Sequence, residues 1–217
     1  MRVEKYLHSC LVLIEGGKRL ALDPGAFSFV EEKLRPEDLG VLDAILLTHE
    51  HPDHYDPEAL KAITQNRAPK LITHETLHKR LEAEGIPSLV IGEGDRLEEG
   101  VFTIEAIRAL HGALPIAVPF NLGYLISGTL FHPGDSLDFS LPENPRALAL
   151  PIAAPWLTLK DALAVALCIK PQYVIPIHDA IIKDFMLERI YGMCEKVLTQ
   201  AGIGFIPLKL GQSLDLD

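Results

Sequence analysis

Cysteine is scarce in this chain. Cys10, Cys168 and Cys194 are odd in number, widely spaced and without a C-x-x-C pair. That pattern excludes a disulfide framework and a thiolate zinc site, and it implies a cytoplasmic protein with reduced thiols. Basic charge is also short. The 20 Lys and Arg face 30 Asp and Glu, a formal net charge of −10. No Lys/Arg cluster offsets that balance locally, so nucleic acid is not an expected partner, because phosphate contacts dominate such binding. Apolar runs fall far short of a membrane span. Arg2, Glu4 and Lys5 interrupt residues 1–15, so no signal peptide is read there.

What the chain does have is a core. Hydrophobic residues make up 48% of its 217 positions, too many for a disordered chain and enough for one large domain. Residues 3–14 read as extended, and Gly16-Gly17 is a turn signal before 19–22, so a hairpin is expected. Asp23-Pro24-Gly25 then breaks the pattern. Residues 43–48 form an apolar run of the kind that makes a buried strand. Asp56-Pro57 reads as an N-cap followed by proline at the first helical position of a segment reaching residue 64. Strands are expected at 70–73, 88–91, 101–107, 121–127, 129–131, 147–151, 172–177, 203–206 and 213–216. Helices are expected at 75–84, 159–169 and 183–200. With no repeat or linker, residues 1–217 read as a single domain. The order of elements suits two packed β-sheets with helices outside.

One short loop stands out. Thr48-His49-Glu50-His51-Pro52-Asp53-His54 holds three of the nine histidines, straight after the apolar run. A His-x-His pair at a strand end can aim both imidazoles at one point, and neutral imidazole is the commonest ligand for zinc and its neighbours. Asp53 and His54 raise the count to four potential ligands, enough to be shared between two adjacent cations. Paired cations are a known hydrolytic device. The alternative, a solvated polar loop, explains neither the count nor the context of strand before and capped helix after.

These seven residues resemble the H-x-H-x-D-H signature of the metallo-β-lactamase superfamily, and the resemblance covers nearly the whole chain. Leu20 to Gly25 is similar to the family's second motif. His111 in Ala109-Leu110-His111-Gly112, Asp135 in His132-Pro133-Gly134-Asp135-Ser136, and His178 in Ile175-Pro176-Ile177-His178-Asp179 fall where the family has its later ligands. The resemblance implies an α/β fold, the αββα sandwich, with two mixed sheets and helices on the outer faces. It implies His49, His51 and His111 on one metal and Asp53, His54 and His178 on the other, with Asp135 between them. Asp23 resembles the aspartate that holds the histidine loop, by fixing a ligand's tautomer. Its other reading is a cap or turn carboxylate. His8 falls where one branch of the family carries a histidine on its first strand. There it would contact substrate or shuttle protons; its alternative is a structural role.

Other features carry less. His74-Glu75-Thr76-Leu77-His78 matches H-E-x-x-H, but it lacks a third partner, and both histidines are expected on a solvated helix face. His132 is expected to pack beside the Asp135 loop, and Trp156 to line a pocket or a core edge. Cys168 is expected on the apolar face of its helix.

Taken together, the resemblance implies a metal-dependent hydrolase whose metal-bridging hydroxide attacks a small ester, lactone or phosphodiester, with Asp53 also orienting water and relaying a proton. The cofactors implied are two divalent ions, zinc first, with manganese, nickel or iron compatible with the ligands. The partner is a small anionic or ester-like molecule, without nucleic acid or membrane. Oligomeric state stays open, a homo-oligomer included. The non-enzymatic alternative is a metal- or ligand-binding protein on the same scaffold.

Overall fold

The computed structural model describes residues 1–65 and 68–216, the side chains of Glu31 and Glu32 excepted. The first sheet contains β1 (Arg2–Lys5), β2 (Leu11–Glu15), β3 (Lys18–Leu22), β4 (Ala44–Leu46), β5 (Lys70–Thr73) and β6 (Leu89–Val90), with β15 (Ser213–Asp215) outside β1. The second contains β7 (Arg96–Glu99), β8 (Phe102–His111), β9 (Leu122–Ile126), β10 (Leu130–His132), β11 (Ser136–Phe139), β12 (Ala147–Pro151), β13 (Tyr173–Ile177) and β14 (Gly204–Phe205). Both sheets are mixed: β1, β2 and β3 form an antiparallel meander, while β3, β4, β5 and β6 run parallel. In the second sheet β8, β9 and β10 are antiparallel and β10, β12, β13 and β14 parallel.

Side chains alternate across each sheet, and both faces are covered. Leu11, Leu13, Leu20, Leu22 and Leu46 meet Phe102, Ile104, Leu122, Tyr124 and Ile175 between the sheets. Their neighbours Val12, Ala21, Ile45 and Leu47 face outward onto Leu60 of α1 (Pro57–Thr64) and Leu77 and Leu81 of α2 (Glu75–Ala83). On the opposite flank Leu148, Leu150 and Val174 lie under Ala162 and Ala166 of α3 (Leu159–Ile169) and Cys194 and Leu198 of α4 (Asp184–Gln200). Strands buried on both faces must be apolar at every position, which is why the chain shows short continuous apolar runs. The layers are therefore helix, sheet, sheet, helix, as the resemblance implies.

Three expectations need correction. Residues 3–14 are not one strand: the chain leaves the sheet between β1 and β2, where Tyr6 N–H donates to Cys10 O and His8 takes a positive φ of 59°. Strands β7 and β11 lie in charged or loop-like stretches that gave no strand signal. Cys168 is exposed. The apolar face of α3 runs through Ala162, Leu163 and Ala166, and a residue two past Ala166 lies on the other side of a 3.6-residue turn.

Direction decides where the site forms. Parallel β3, β4 and β5 all end at one edge of the first sheet. In the second, β8 runs with β10, β12 and β13, since β9 is antiparallel to both β8 and β10. The carboxyl ends of these strands carry the Asp23, His49, His111, Asp135 and His178 loops.

Candidate metal centre

Two clusters form at that edge. His49, His51, His111 and Asp135 make one; His8, Asp53, His54 and His178 make the other, and within each cluster the candidate ligand atoms lie within 4.8 Å of one another. All seven residues expected to bind metal are brought together, from loops up to 129 positions apart. Asp135 sits between the clusters. Its Oδ1 lies 2.9 Å from His54 Nε2 and 3.0 Å from His178 Nε2, while Oδ2 lies 3.5 Å from His111 Nε2 and 3.9 Å from His49 Nε2.

The outward nitrogens explain the orientation of the rings. His54 Nδ1–H donates to Asp23 Oδ2 at 2.7 Å, His178 Nδ1–H to Ala153 O at 2.7 Å and His111 Nδ1–H to Gly112 O at 2.7 Å. His49 Nδ1–H donates to Thr48 Oγ1 at 3.0 Å, and that hydroxyl donates to Asp23 Oδ2 at 2.6 Å. Each bond fixes the tautomer that presents a bare Nε2 inward. His51 turns its Nδ1 inward, 3.1 Å from His111 Nε2. Two inward atoms, His49 Nε2 and Asp135 Oδ1, are buried without a hydrogen-bond partner. Orphaned buried acceptors are costly, and both of these belong to one cluster of candidate ligands, which is the arrangement a divalent cation satisfies. The donor set of imidazole and carboxylate fits zinc, manganese, nickel or iron.

Burial and charge act together. Burial lowers the pKa of His49 and His51 and, despite Asp53, holds His8 near 4. For His54 and His178 burial also pulls downward, but carboxylates win. Asp135 and Asp23 raise His54, and Asp135 and Asp53 bring His178 to about 9. Burial pushes Asp135 and Asp53 upward, yet the facing histidines hold both carboxyls below the usual range. A cation bound at this centre would compete with protons on His54 and His178, so loading would release protons.

Backbone strain is concentrated here. His8, Asp23 and His178 have φ of 59°, 45° and 64°, three of the five positive-φ residues other than glycine among those described. Each costs on the order of 1–3 kcal/mol and persists because surrounding bonds hold it. Thr48 N–H donates to Asp23 Oδ1, and His178 N–H to His8 O. Lys5 and Asp179 form a buried ion pair, and Tyr191 Oη–H donates to the same Asp179 oxygen at 2.5 Å, clamping the turn after His178 to the strand before His8. Gly25 lets the D-P-G turn touch the histidine loop. A Cβ there would stand 2.2 Å from the carbonyl carbon of Asp53. Asp23 thus holds His54 and Thr48 directly and caps no helix.

Several residues differ from or add to expectation. His8 is fully buried, with Nε2 3.1 Å from Asp53 Oδ2. Trp156 is a wall of the site and more: its Nε1–H donates to Asp135 Oδ2 at 3.0 Å, and its ring covers Gly112, where a Cβ would meet it at 2.1 Å. Asn121 was not anticipated. It donates to Ala109 O and Pro133 O and accepts from Asp135 N–H, so it carries the turn that presents Asp135. No sequence signal marks it. His132 packs under the same turn, its Nε2–H donating to Ser9 O. His74 is not on a solvated helix face. It is the buried N-cap of α2, its Nδ1 accepting from Leu77 N–H, so it is not paired on one helix face with His78. His78 is half-buried against Ser88.

Comparison with known proteins identifies relatives of the whole chain. A model of the beta-lactamase superfamily domain matches residues 2–178. Protein Rv0786c of Mycobacterium tuberculosis is 32% identical over 207 residues, covering 92% of this chain and 93% of the relative. A UPF0173 metal-dependent hydrolase of Carboxydothermus hydrogenoformans is 28% identical over 193 residues, covering 82% and 84%. The structure of Igni18, a metallo hydrolase of the archaeon Ignicoccus hospitalis, superposes with a TM-score of 0.77 at 20% identity, over 98% of this chain and 97% of that one.

Proposed function

Because the chain belongs to the metallo-β-lactamase superfamily of metal-dependent hydrolases, we propose that it hydrolyses a small ester, lactone or phosphodiester at a two-cation centre, zinc first. The observation that carries this reading is the convergence of seven buried or half-buried donors, four of them histidines whose outer nitrogens are hydrogen-bonded. His49, His51 and His111 would hold one cation, Asp53, His54 and His178 the other, and Asp135 both. When bound, such a pair supplies ionised water at neutral pH and positive charge for the developing oxyanion.

The chain's own residues do the rest. Trp156 Nε1–H fixes the Asp135 carboxylate, and Asp23 fixes His54. Asp53, the least buried carboxylate of the centre, is placed to orient water and receive its proton. His8 supports Asp53 instead of ligating. The ligand histidines His49, His54, His111 and His178 have their outer nitrogens hydrogen-bonded, whereas His8 Nδ1 is buried without a partner. As a ligand through Nε2, His8 would bury an orphaned N–H. As a donor from Nε2–H to Asp53 it buries only a bare lone pair, the smaller penalty. The ligands span residues 49–178 and β15 closes against β1, which supports the chain acting as one domain. The free thiols support a cytoplasmic setting, and no described helix is long and apolar enough to cross a membrane.

The test is purification with elemental analysis, then assay on chromogenic esters, lactones and phosphodiesters with chelation and metal readdition. Turnover lost on chelation and restored by zinc or manganese is expected. Full turnover in metal-stripped protein would defeat the reading, and metal binding without turnover would favour a binding protein.

A further inference from the structure

The segment between His111 and Leu122 is unlike the rest of the surface. Residues 109–134 contain no Asp, Glu, Lys or Arg, in a chain where 23% of residues are charged. Yet the middle of the loop is exposed: Ile116 is 70% accessible and Phe120 48%, with Val118 also exposed. Both ends are anchored in the metal centre. Gly112 N–H donates to Asp135 O, and Gly112 lies under Trp156. At the other end Asn121 holds the Asp135 turn, and Leu122 N–H donates to Thr48 O, beside His49. Phe120 packs edge-on against His74 with ring centroids 4.9 Å apart, so the loop's exit is braced by the strand end next to the histidine loop. An exposed apolar segment anchored in this way marks a binding surface. Residues 109–134 offer no Lys or Arg to an anionic group of a substrate, and buried Lys5 is taken up by Asp179.

We infer that this loop is an acyl-recognition rim, and that the substrate is a neutral carboxylic ester or lactone whose apolar chain lies over Ile116, Val118 and Phe120, not a phosphodiester. The inference rests on the hydrolase reading above. In the reaction water's oxygen forms the new acyl C–O bond, the bond to the leaving alcohol breaks, and the alcohol oxygen takes the proton released from water. No oxidant or reductant is needed.

The test is kcat/KM of the metal-loaded protein on p-nitrophenyl esters from acetate to octanoate. It is paired with the affinity of neutral alkyl amides of the same lengths, read from the fluorescence of Trp156, the chain's single tryptophan. Burial of successive methylenes predicts a rise of about three- to fourfold per carbon until the rim is covered. In Ile116→Ser/Val118→Ser/Phe120→Ser both slopes should flatten while metal content by elemental analysis stays at the native value. A flat slope in a native protein that binds metal and cleaves acetate overturns the rim and leaves the hydrolase standing. So does preference for phosphodiesters. A triple variant that keeps the slope but turns a dimer into a monomer shows instead that the loop joins two copies of the chain. No turnover of any ester, lactone or phosphodiester by metal-loaded protein defeats both readings.

Discussion

The two ligand clusters are built by different means. The His49–His51–His111–Asp135 cluster uses a strand end, a regular strand terminus and a tight turn, without a positive φ at any of its four residues. The His8–Asp53–His54–His178 cluster relies on two residues held in left-handed conformation and on Asp23, which is held there too. It is braced from behind by the buried Lys5–Asp179 pair and Tyr191. The first cluster is placed by strand direction, with Asn121 and Trp156 holding Asp135. The second needs loops clamped against their own preference, so its geometry depends more on the surrounding shell.

That contrast can be broken most completely at the residue both clusters share. Asp135→Ala should reduce cation content from two per chain to less than one. Turnover should fall by more than the roughly 10–100-fold that loss of a ligand's hydrogen-bond partner costs. Elemental analysis beside kinetics measures both, and an Asp135→Ala protein that keeps two cations contradicts the bridging role. Next in size is His8→Gln. With His8 supporting Asp53, two cations should remain while turnover drops on the order of 10²-fold, as for loss of a group acting in proton transfer. Loss of one cation would make His8 a ligand.

A smaller effect separates the clusters by their support. Asp23→Ala removes the direct partner of His54 but only the indirect partner of His49, so the second cation should weaken about 10–100-fold and the first less. Equal weakening in a metal titration would erase the asymmetry. Lys5→Met leaves Asp179 buried without its cation, with only the Tyr191 hydroxyl, and should cost about 3–5 kcal/mol, seen as a lowered Tm. The second cluster should again suffer first.

The last effect lies outside both clusters. Burial holds His74 near pKa 4, below the ordinary 6.5. Between those values the unfolded chain binds a proton that the folded chain refuses. Stability from neutral His74 is therefore complete above pH 6.5 and is lost as pH falls towards 4, on the order of 3 kcal/mol in all. His74→Asn keeps an N-cap acceptor and should flatten that part of the acid limb in denaturation measured from pH 7 to 4. Unchanged slope would place the acid sensitivity elsewhere.

Much of the centre was legible because its chemistry is local. Thr48 to His54 places four ligands, or their supports, in seven residues, and the order of the later motifs supplied His111, Asp135 and His178. Helix α1 was legible at its start because Asp56 caps and Pro57 occupies the first turn, as the structure shows. Other features were hidden because their partners are distant. Trp156 reaches Asp135 across 21 positions, Ala153 O holds His178 across 25, and Lys5 meets Asp179 across 174. His74 looked solvated because H-E-x-x-H invites a helical reading. Its actual place, one residue before the helix and under Phe120, depends on where a separate loop folds back.

The sequence by itself determined the apolar runs that build two buried sheets, the strand–turn–helix frame of the histidine loop and the identity of the candidate ligand side chains. Those follow from side-chain period, capping and donor chemistry, which act within a few residues. Tertiary structure alone decided which nitrogen of each histidine faces inward, how Asp135 divides its oxygens, and which loops are held at positive φ. These depend on hydrogen bonds and ion pairs between segments far apart in the chain, which exist only once strand direction has brought them to one edge.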